Sequence, residues 1–490
     1  MSGLVLVGMC MLVGMIFAIF IGFPISFTLL FLALTFGYFG LGEIVFSLAY
    51  FQTIGMMKEE LLAAVPLFIF MGFITEQAGL MERLFSAFRM LLAPVRGALF
   101  LVVIVTSTVF AMATGIVGAA VTVLGIMASP IMIKTGYDAR LAAGAITAGG
   151  TLGILIPPSV MLIVMGPVIG VSVADLYWAA FGPGFMLAGI YLAYLLVRAY
   201  INPGLGPPVP IDERVHSAGT IAWELLVGVM PLFMLIGVVL GSMMAGLATP
   251  TEASAIGAVG AALLAIVYGK FTYAGLKRAV LSTTATSSMV LLLAVTSNIF
   301  GAVFSRLGGA NWITETMLAL PLSPVLMLIL VLFLIFLLGW PFEWPAIILV
   351  FLPIFYPVMD SLKPAIAASF GMQPDLVMIW FGALVAVTLQ TAYLSPPVAM
   401  SAYYLRQVVK EWSLGTIYKG MFEFMILQCI AIALLVIFPQ IATYLPEQLR
   451  GEIAATKSEQ VDDSQNRLED DPHKFLQEKP EPDPGDEAKK

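Results

Sequence analysis

Apolar runs of about 20 residues, the length that crosses a bilayer, recur from Leu4 to Phe438, and polar positions gather in the short stretches between them. The pattern predicts crossings at about residues 4–37 (bent near Gly22 and Pro24), 62–79, 141–170, 176–200, 222–245, 250–268, 284–305, 375–405 and 416–439. Two more apolar stretches, 97–133 and 322–359, do not read as simple crossings. Arg83, Arg89 and Arg96 precede the first and Lys134 and Arg140 follow it. Basic residues favour the cytoplasmic side, so both ends belong there and the stretch is a re-entrant hairpin. Its middle, Ala111 to Gly118, supplies the small residues that a tip needs.

Counting onward with the amino terminus inside makes 322–359 a second hairpin from the opposite face, with its tip at Gly339 to Pro345. Of the 23 Lys and Arg residues, 13 then fall in inside loops, 7 in the tail, and only Lys58, Arg306 and Lys363 outside. The fold class expected is therefore an all-α polytopic membrane protein with inverted repeats, two re-entrant hairpins and two broken helices. Residues 1–220 form the first repeat, 221–440 a linking helix and the second repeat, and 441–490 an acidic disordered tail. The segments Ile44 to Met57 and Lys270 to Val280 are expected to lie flat at the surface, and Arg83 to Arg96 to form an amphipathic arm.

Two crossings carry a Pro-Pro pair, Pro157-Pro158 within Gly149 to Ser159 and Pro396-Pro397 within Leu389 to Val398. Proline lacks an N–H, and in lipid the freed carbonyls must meet protein, water or an ion. Paired broken helices in corresponding halves point to a transport site between repeats. A break offers carbonyl oxygens to a cation at one half-helix end and favours an anion at the other. Gly149, Gly150 and Gly153 permit close backbone approach, while Thr151, Ser159, Thr391 and Ser395 add hydroxyl oxygens. The tips are expected to close over the breaks, bringing Thr114, Gly115 and Gly118 to the first and Gly339 to Glu343 to the second. Hard neutral oxygens suit a monovalent ion such as sodium. Glu343 is the acid of a hairpin tip and a candidate for function. Glu252 reads as a helix cap, with Thr249 or Thr251 assisting, and Asn298 as an interhelical hydrogen-bonding residue.

Composition agrees: 60% of the 490 residues are hydrophobic and 11% charged, against about 25% charged in a soluble domain. The net charge of −7 sits largely in Glu447 to Lys490, where 13 acids face 7 bases, and so says little about partners; no nucleic-acid partner is expected. Cys10 and Cys429 fall in apolar runs and read as small hydrophobes. No cleavable signal is expected before the first apolar run. A membrane enzyme would need convergent acid, base or metal ligands, yet the two histidines, His216 and His473, lie in a loop and in the tail.

Lys134-Thr135-Gly136-Tyr137-Asp138, followed by Ala148-Gly149-Gly150-Thr151-Leu152-Gly153-Ile154-Leu155-Ile156-Pro157-Pro158-Ser159, resembles the large membrane subunit of TRAP transporters, as does Thr249-Pro250-Thr251-Glu252-Ala253. The resemblance runs from about residue 3 to 440. It implies a bacterial inner-membrane importer with three parts, in which a periplasmic binding protein delivers a small organic acid to this chain and a small four-helix membrane subunit. It further implies sodium as coupling ion, no other cofactor, and an elevator-type transporter moving within the membrane lipid. Sodium sites in such proteins map here to Thr114, Gly115, Gly150, Thr151, Gly339, Gln390 and Thr391. The first tip departs from the Ser-Gly-Ser-Ser-like run of many members, so side-chain oxygens are missing there. A self-sufficient sodium/carboxylate symporter of similar architecture is the alternative.

Overall fold

The computed structural model describes residues 2–208, 217–396 and 399–450, except the side chains of Ala111, Ala113 and Thr114. The Thr114 hydroxyl, Pro397, His216, His473 and the tail from 451 onward therefore lie outside the described residues. Met1–Thr443 forms one compact unit. Every regular element described is helical.

The helices run α1 (Gly3–Ile21), α2 (Ile25–Leu41), α3 (Ile44–Met57), α4 (Leu61–Gln77), α5 (Leu80–Leu92), α6 (Ala98–Thr114), α7 (Val117–Lys134), α8 (Ala139–Thr151), α9 (Val160–Ile169) and α10 (Val173–Ile201). They continue with α11 (Ala218–Met244), α12 (Pro250–Val267), α13 (Tyr273–Arg306), α14 (Gly309–Leu318), α15 (Pro324–Leu338), α16 (Trp344–Ala346), a π-helical turn at Ile347–Phe351, α17 (Leu352–Phe370), α18 (Pro374–Leu394), α19 (Met400–Val408) and α20 (Leu414–Ile437). Among the described residues, nine helical spans are long and apolar enough to cross a membrane.

Polar residues start these helices where the sequence supplies them. Asp138 accepts from the Leu141 N–H at 2.8 Å to open α8. Thr249 and Glu252 form a reciprocal capping box on α12, which satisfies two N–H groups that lipid could not. Thr251 takes no part in that cap and donates instead to the Glu60 carbonyl at 3.0 Å.

Contacts fix the helix directions. Thr251 meets Glu60, Gly257 packs on Met71 and Gly275 on Gln77, so the descent from α12 into the start of α13 follows α4 in parallel. Gly37 packs on Val303 and Gly40 on Leu307, so α2 runs parallel to the end of α13. Gly275 at the start of α13 meets Gln77 at the end of α4, and Asn298 further along α13 meets Met56 just before α4 begins, so α4 and α13 run in opposite senses. The same order of elements then recurs in each half: α5 and α14, the hairpins α6/α7 and α15/α16–α17, the broken helices α8/α9 and α18/α19, and the closing helices α10 and α20.

Three expectations are corrected. The run 4–37 is not one bent crossing: Gly22, at φ +101°, turns the chain back, and Leu4 comes to lie beside Gly40 and Gly14 beside Leu32. The amino terminus thus lies on the face where α2 ends, not opposite it. Lys270 to Val280 is not a separate surface helix, because no breaker interrupts the sequence and Thr272 caps a single α13 of 34 residues. The first break begins later than Gly149, which with Gly150 stays in the last turn of α8. The amphipathic arm is α5, bent 58° from α4, with Arg83 stacked 4.7 Å above the Tyr268 ring.

Candidate transport site

After Thr151 the first broken helix tightens into a 3-10 turn at Leu152–Ile154, and α9 restarts at Val160. The helical donors for the carbonyls of Gly153 and Ile154 would be Pro157 and Pro158, which have no N–H. The Ser159 hydroxyl takes up the Ile154 carbonyl. The tip of the first hairpin stands over the carbonyls near this break. Gly115 is left-handed at φ +60°, and a Cβ there would lie 3.7 Å from the Gly153 oxygen and 3.8 Å from the Pro158 oxygen. Only glycine takes that conformation without strain.

The other glycines bind the break to the hairpin's two arms. A Cβ on Gly149 would sit 2.5 Å from Ser107 Oγ in α6, and one on Gly150 would sit 3.2 Å from the Val121 N in α7. In lipid no hydrophobic force draws helices together, so such close approach supplies the packing instead.

The hydroxyls around both breaks donate along their own helices: Thr151 to the Ala148 carbonyl at 2.8 Å, Thr391 to Thr388 at 2.7 Å and Ser395 to Thr391 at 2.6 Å. The donor hydrogen is then occupied while an oxygen lone pair stays open to a cation. Thr151, Ser159, Gln390, Thr391 and Ser395 are all buried. Gln390 Oε1, 3.2 Å from Thr151 Oγ1, is a second acceptor for the same hydroxyl hydrogen, a shared contact that joins the two broken helices directly. At the second tip, Gly339 packs on Ala392, where a Cβ would stand 3.3 Å from the Ala392 Cα. Pro396 ends the described part of the second break.

Both tips meet at a cavity of about 220 Å³. Gly115 to Gly118 line it from the first hairpin and Glu343 to Pro345 from the second, with Ile154 and Val160 from the first break. Across the cavity stand Thr286, Met289 and Val290 of α13 and Ile69 of α4. Tyr393 and Tyr404 complete it, and the Tyr404 ring lies 3.0 Å from where a Cβ on Gly118 would be. The sequence singles out Gly115, Gly118 and Glu343 and offers Asn298 as the residue of α13 that could contact the site; it does not single out these tyrosines or Thr286, Met289 and Val290. Tyr393 lay within the Pro-Pro segment, which was its only signal; Thr286 and Met289 had none. Asn298 donates to Met56 Sδ at 3.4 Å, a contact between helices. It also lines a second cavity of about 370 Å³ further along α13, with Glu59, Ser297 and Ser305.

A helical membrane chain in which two hairpin tips and two broken helices enclose a site between inverted repeats has the architecture of a secondary transporter. The chain belongs to the family "Tripartite ATP-independent periplasmic transporter, DctM component", whose model matches residues 12–441. It is similar to the C4-dicarboxylate TRAP transporter large permease protein DctM of Pseudomonas aeruginosa, with 28% identity over 79% of this chain and 86% of the relative. The sialic acid TRAP transporter large permease protein SiaM of Vibrio cholerae matches at 28% identity over 90% and 99% of the two chains. The ectoine TRAP transporter large permease protein TeaC of Halomonas elongata matches at 26% over 91% and 97%. In fold, the crystal structure of the Alcanivorax borkumensis YdaH transporter is similar, with a TM-score of 0.57, 18% identity, and 83% of this chain and 90% of that chain covered. The chain is thus a multi-pass permease component of a tripartite transporter and not an enzyme.

Proposed function

We propose that this chain imports a small organic acid across the bacterial inner membrane by sodium symport, the hairpins and broken helices moving as one body against the α2–α4 and α11–α13 frame. A small four-helix subunit and a periplasmic binding protein are the partners this reading requires. The observation that carries it is the cavity walled on one side by both tips and on the other by α13, since a ligand there touches the moving body and the frame at once.

The chemistry divides between the two ends of each break. Gly153 and Pro158 carbonyls beside Gly115, with Thr151, offer neutral oxygens to sodium; Gly339, Gln390, Thr391 and Ser395 do so at the second break. The amino ends of α7 and α9, at Val117 and Val160, border the cavity, and free N–H groups with the positive end of the helix dipole suit a carboxylate. Among the described residues no basic side chain lines the cavity, so these ends replace the usual guanidinium. The substrates named for the relatives, C4-dicarboxylate, sialic acid and ectoine, span enough chemistry that the carboxylate is the common element assigned here.

The test is uptake of labelled carboxylates into proteoliposomes holding this chain and its small subunit, with and without a sodium gradient and with and without the binding protein. Uptake that needs both is expected. Sodium-driven uptake without a binding protein would favour the self-sufficient symporter, and uptake indifferent to sodium would remove the ion sites.

A further inference from the structure

Behind the breaks, Thr151 and Gln390 of the proposed transport site meet two buried side chains, Tyr191 and Gln428, that the transport reading does not use. Thr151 of α8, Tyr191 of α10, Gln390 of α18 and Gln428 of α20 each have 0% exposure. The Tyr191 hydroxyl lies within side-chain hydrogen-bonding reach of both Gln428 and Thr151, and Thr151 is in contact with Gln390. Yet Tyr191 Oη, Gln390 Nε2 and both amide atoms of Gln428 close no hydrogen bond of acceptable geometry among the described residues. Around them the surface is apolar, with the Phe424 ring edge-on to Tyr191 at 5.1 Å.

The donors and acceptors left open where these four helices converge, on Tyr191, Gln390 and Gln428, call for a small bridging group that both donates and accepts. We propose that these four side chains hold one ordered water molecule, through which Tyr191 and Gln428 position the Thr151–Gln390 pair from behind. Water accepts from an amide N–H and a phenol O–H while donating to Gln428 Oε1 and to the open lone pair of Thr151. A cation fits less well, because two of the open groups are amide N–H₂ donors that it repels. The nearby acid, Glu423, is engaged with Arg140 at 3.0 Å.

The placement gives the water a role. α10 and α20 close the two repeats, and Thr151 and Gln390 are the equivalent positions of the two breaks. One molecule at their meeting point ties all four elements at the inverted symmetry axis. Tyr191 and Gln428 are positioning residues in this scheme, and their effect on sodium rests on the function proposed above.

The experiment has two arms. In a cryo-EM map of the unaltered complex, at a resolution that shows ordered water, a peak is expected within hydrogen-bonding distance of Tyr191 Oη, Gln428 and Thr151 or Gln390. In proteoliposomes, Tyr191→Phe and Gln428→Leu are expected to weaken sodium activation about tenfold, as loss of a supporting hydrogen bond does at ion sites, with uptake at saturating sodium kept within about twofold. Direct closure of the four side chains with no peak would overturn the proposal. So would a peak with oxygen-only contacts, which is a cation, or an unaltered sodium dependence in both variants. Should a variant fail to fold, the map of the unaltered protein decides. Should unaltered uptake ignore sodium, the proposed function fails while the map still tests the water.

Discussion

Thr151 and Gln390 occupy equivalent positions in the two repeats and touch each other. Pro157 and Pro396 open the two Pro-Pro pairs 239 residues apart, and Thr151 and Gln390, 3.2 Å from each other, are also 239 apart. Two equivalent residues meet directly only on a symmetry axis, where a contact is self-complementary. The axis of the inverted repeat therefore passes between these side chains. Removing one partner leaves the other buried without it, at about 1–3 kcal/mol. Thr151→Val and Gln390→Leu should each lower the melting temperature in detergent, and the double variant should lose less than the sum. Strict additivity in that cycle would show the pair uncoupled.

A second contact ties the amino-terminal end of the broken helix, at the start of α8, to the closing helix α20. A Cβ on Gly420 would stand 2.1 Å from the Arg140 carbonyl oxygen and 2.9 Å from the Gly144 N, both backbone atoms that cannot swing aside. Beside this crossing, Arg140 reaches Glu423 at 3.0 Å. Gly420→Ala should force α8 and α20 apart and cost about 3 kcal/mol, read as loss of monodisperse protein. Gly189, on α10, has nothing within 4 Å of its Cβ position. Gly189→Ala should be neutral or stabilise by about 0.5–1 kcal/mol, and equal effects of the two changes would contradict the packing.

Much of this fold is legible in the sequence, for reasons that differ by element. Pro157-Pro158 announces the first break because a missing N–H is a property of the residue itself, whatever surrounds it. Arg83 to Arg96 and Lys134 to Arg140 announce the first hairpin because charge reports which side of the bilayer a loop occupies. Gly22 and Pro24 are ambiguous in a way these are not, since a kink and a full reversal use the same residues. Only the packing of Leu4 on Gly40 decides between them. The frame side of the cavity was hidden for another reason. In a soluble helix the polar face points to water, but in α13 the cavity-facing Met289 and Val290 are as apolar as lipid-facing positions, and Thr286 is one hydroxyl among several in the helix, so nothing sets the cavity face apart.

The reversal at Gly22 makes a prediction about sidedness. α1 and α2 form an antiparallel pair, and α2 ends next to α3 and the loop holding Lys58. With Cys10 and Cys429 replaced, Ser2→Cys should be labelled by a membrane-impermeant maleimide from the same side as Lys58→Cys, and Lys134→Cys only after permeabilisation. Labelling of Ser2→Cys together with Lys134→Cys would restore the single bent crossing.

Glu343 is the acid of the cavity, half-buried at the second tip among Trp344, Tyr393 and Tyr404. Two roles are open to such a carboxylate in apolar surroundings: it can hold a cation beside the substrate, or it can merely fix the tip. Glu343→Gln keeps the shape and hydrogen-bonding capacity but removes the charge, whereas Glu343→Asp keeps the charge and draws it back by about one methylene. If the charge binds the coupling ion, Glu343→Gln should raise the sodium concentration for half-maximal uptake about tenfold or abolish uptake, and Glu343→Asp should retain most of it. If the residue only fixes the tip, the order reverses, because Gln fills the same space and Asp does not. Melting temperatures taken alongside separate a collapsed tip from a lost ion: the charge reading requires Glu343→Gln to stay as stable as the unaltered protein while its sodium dependence shifts.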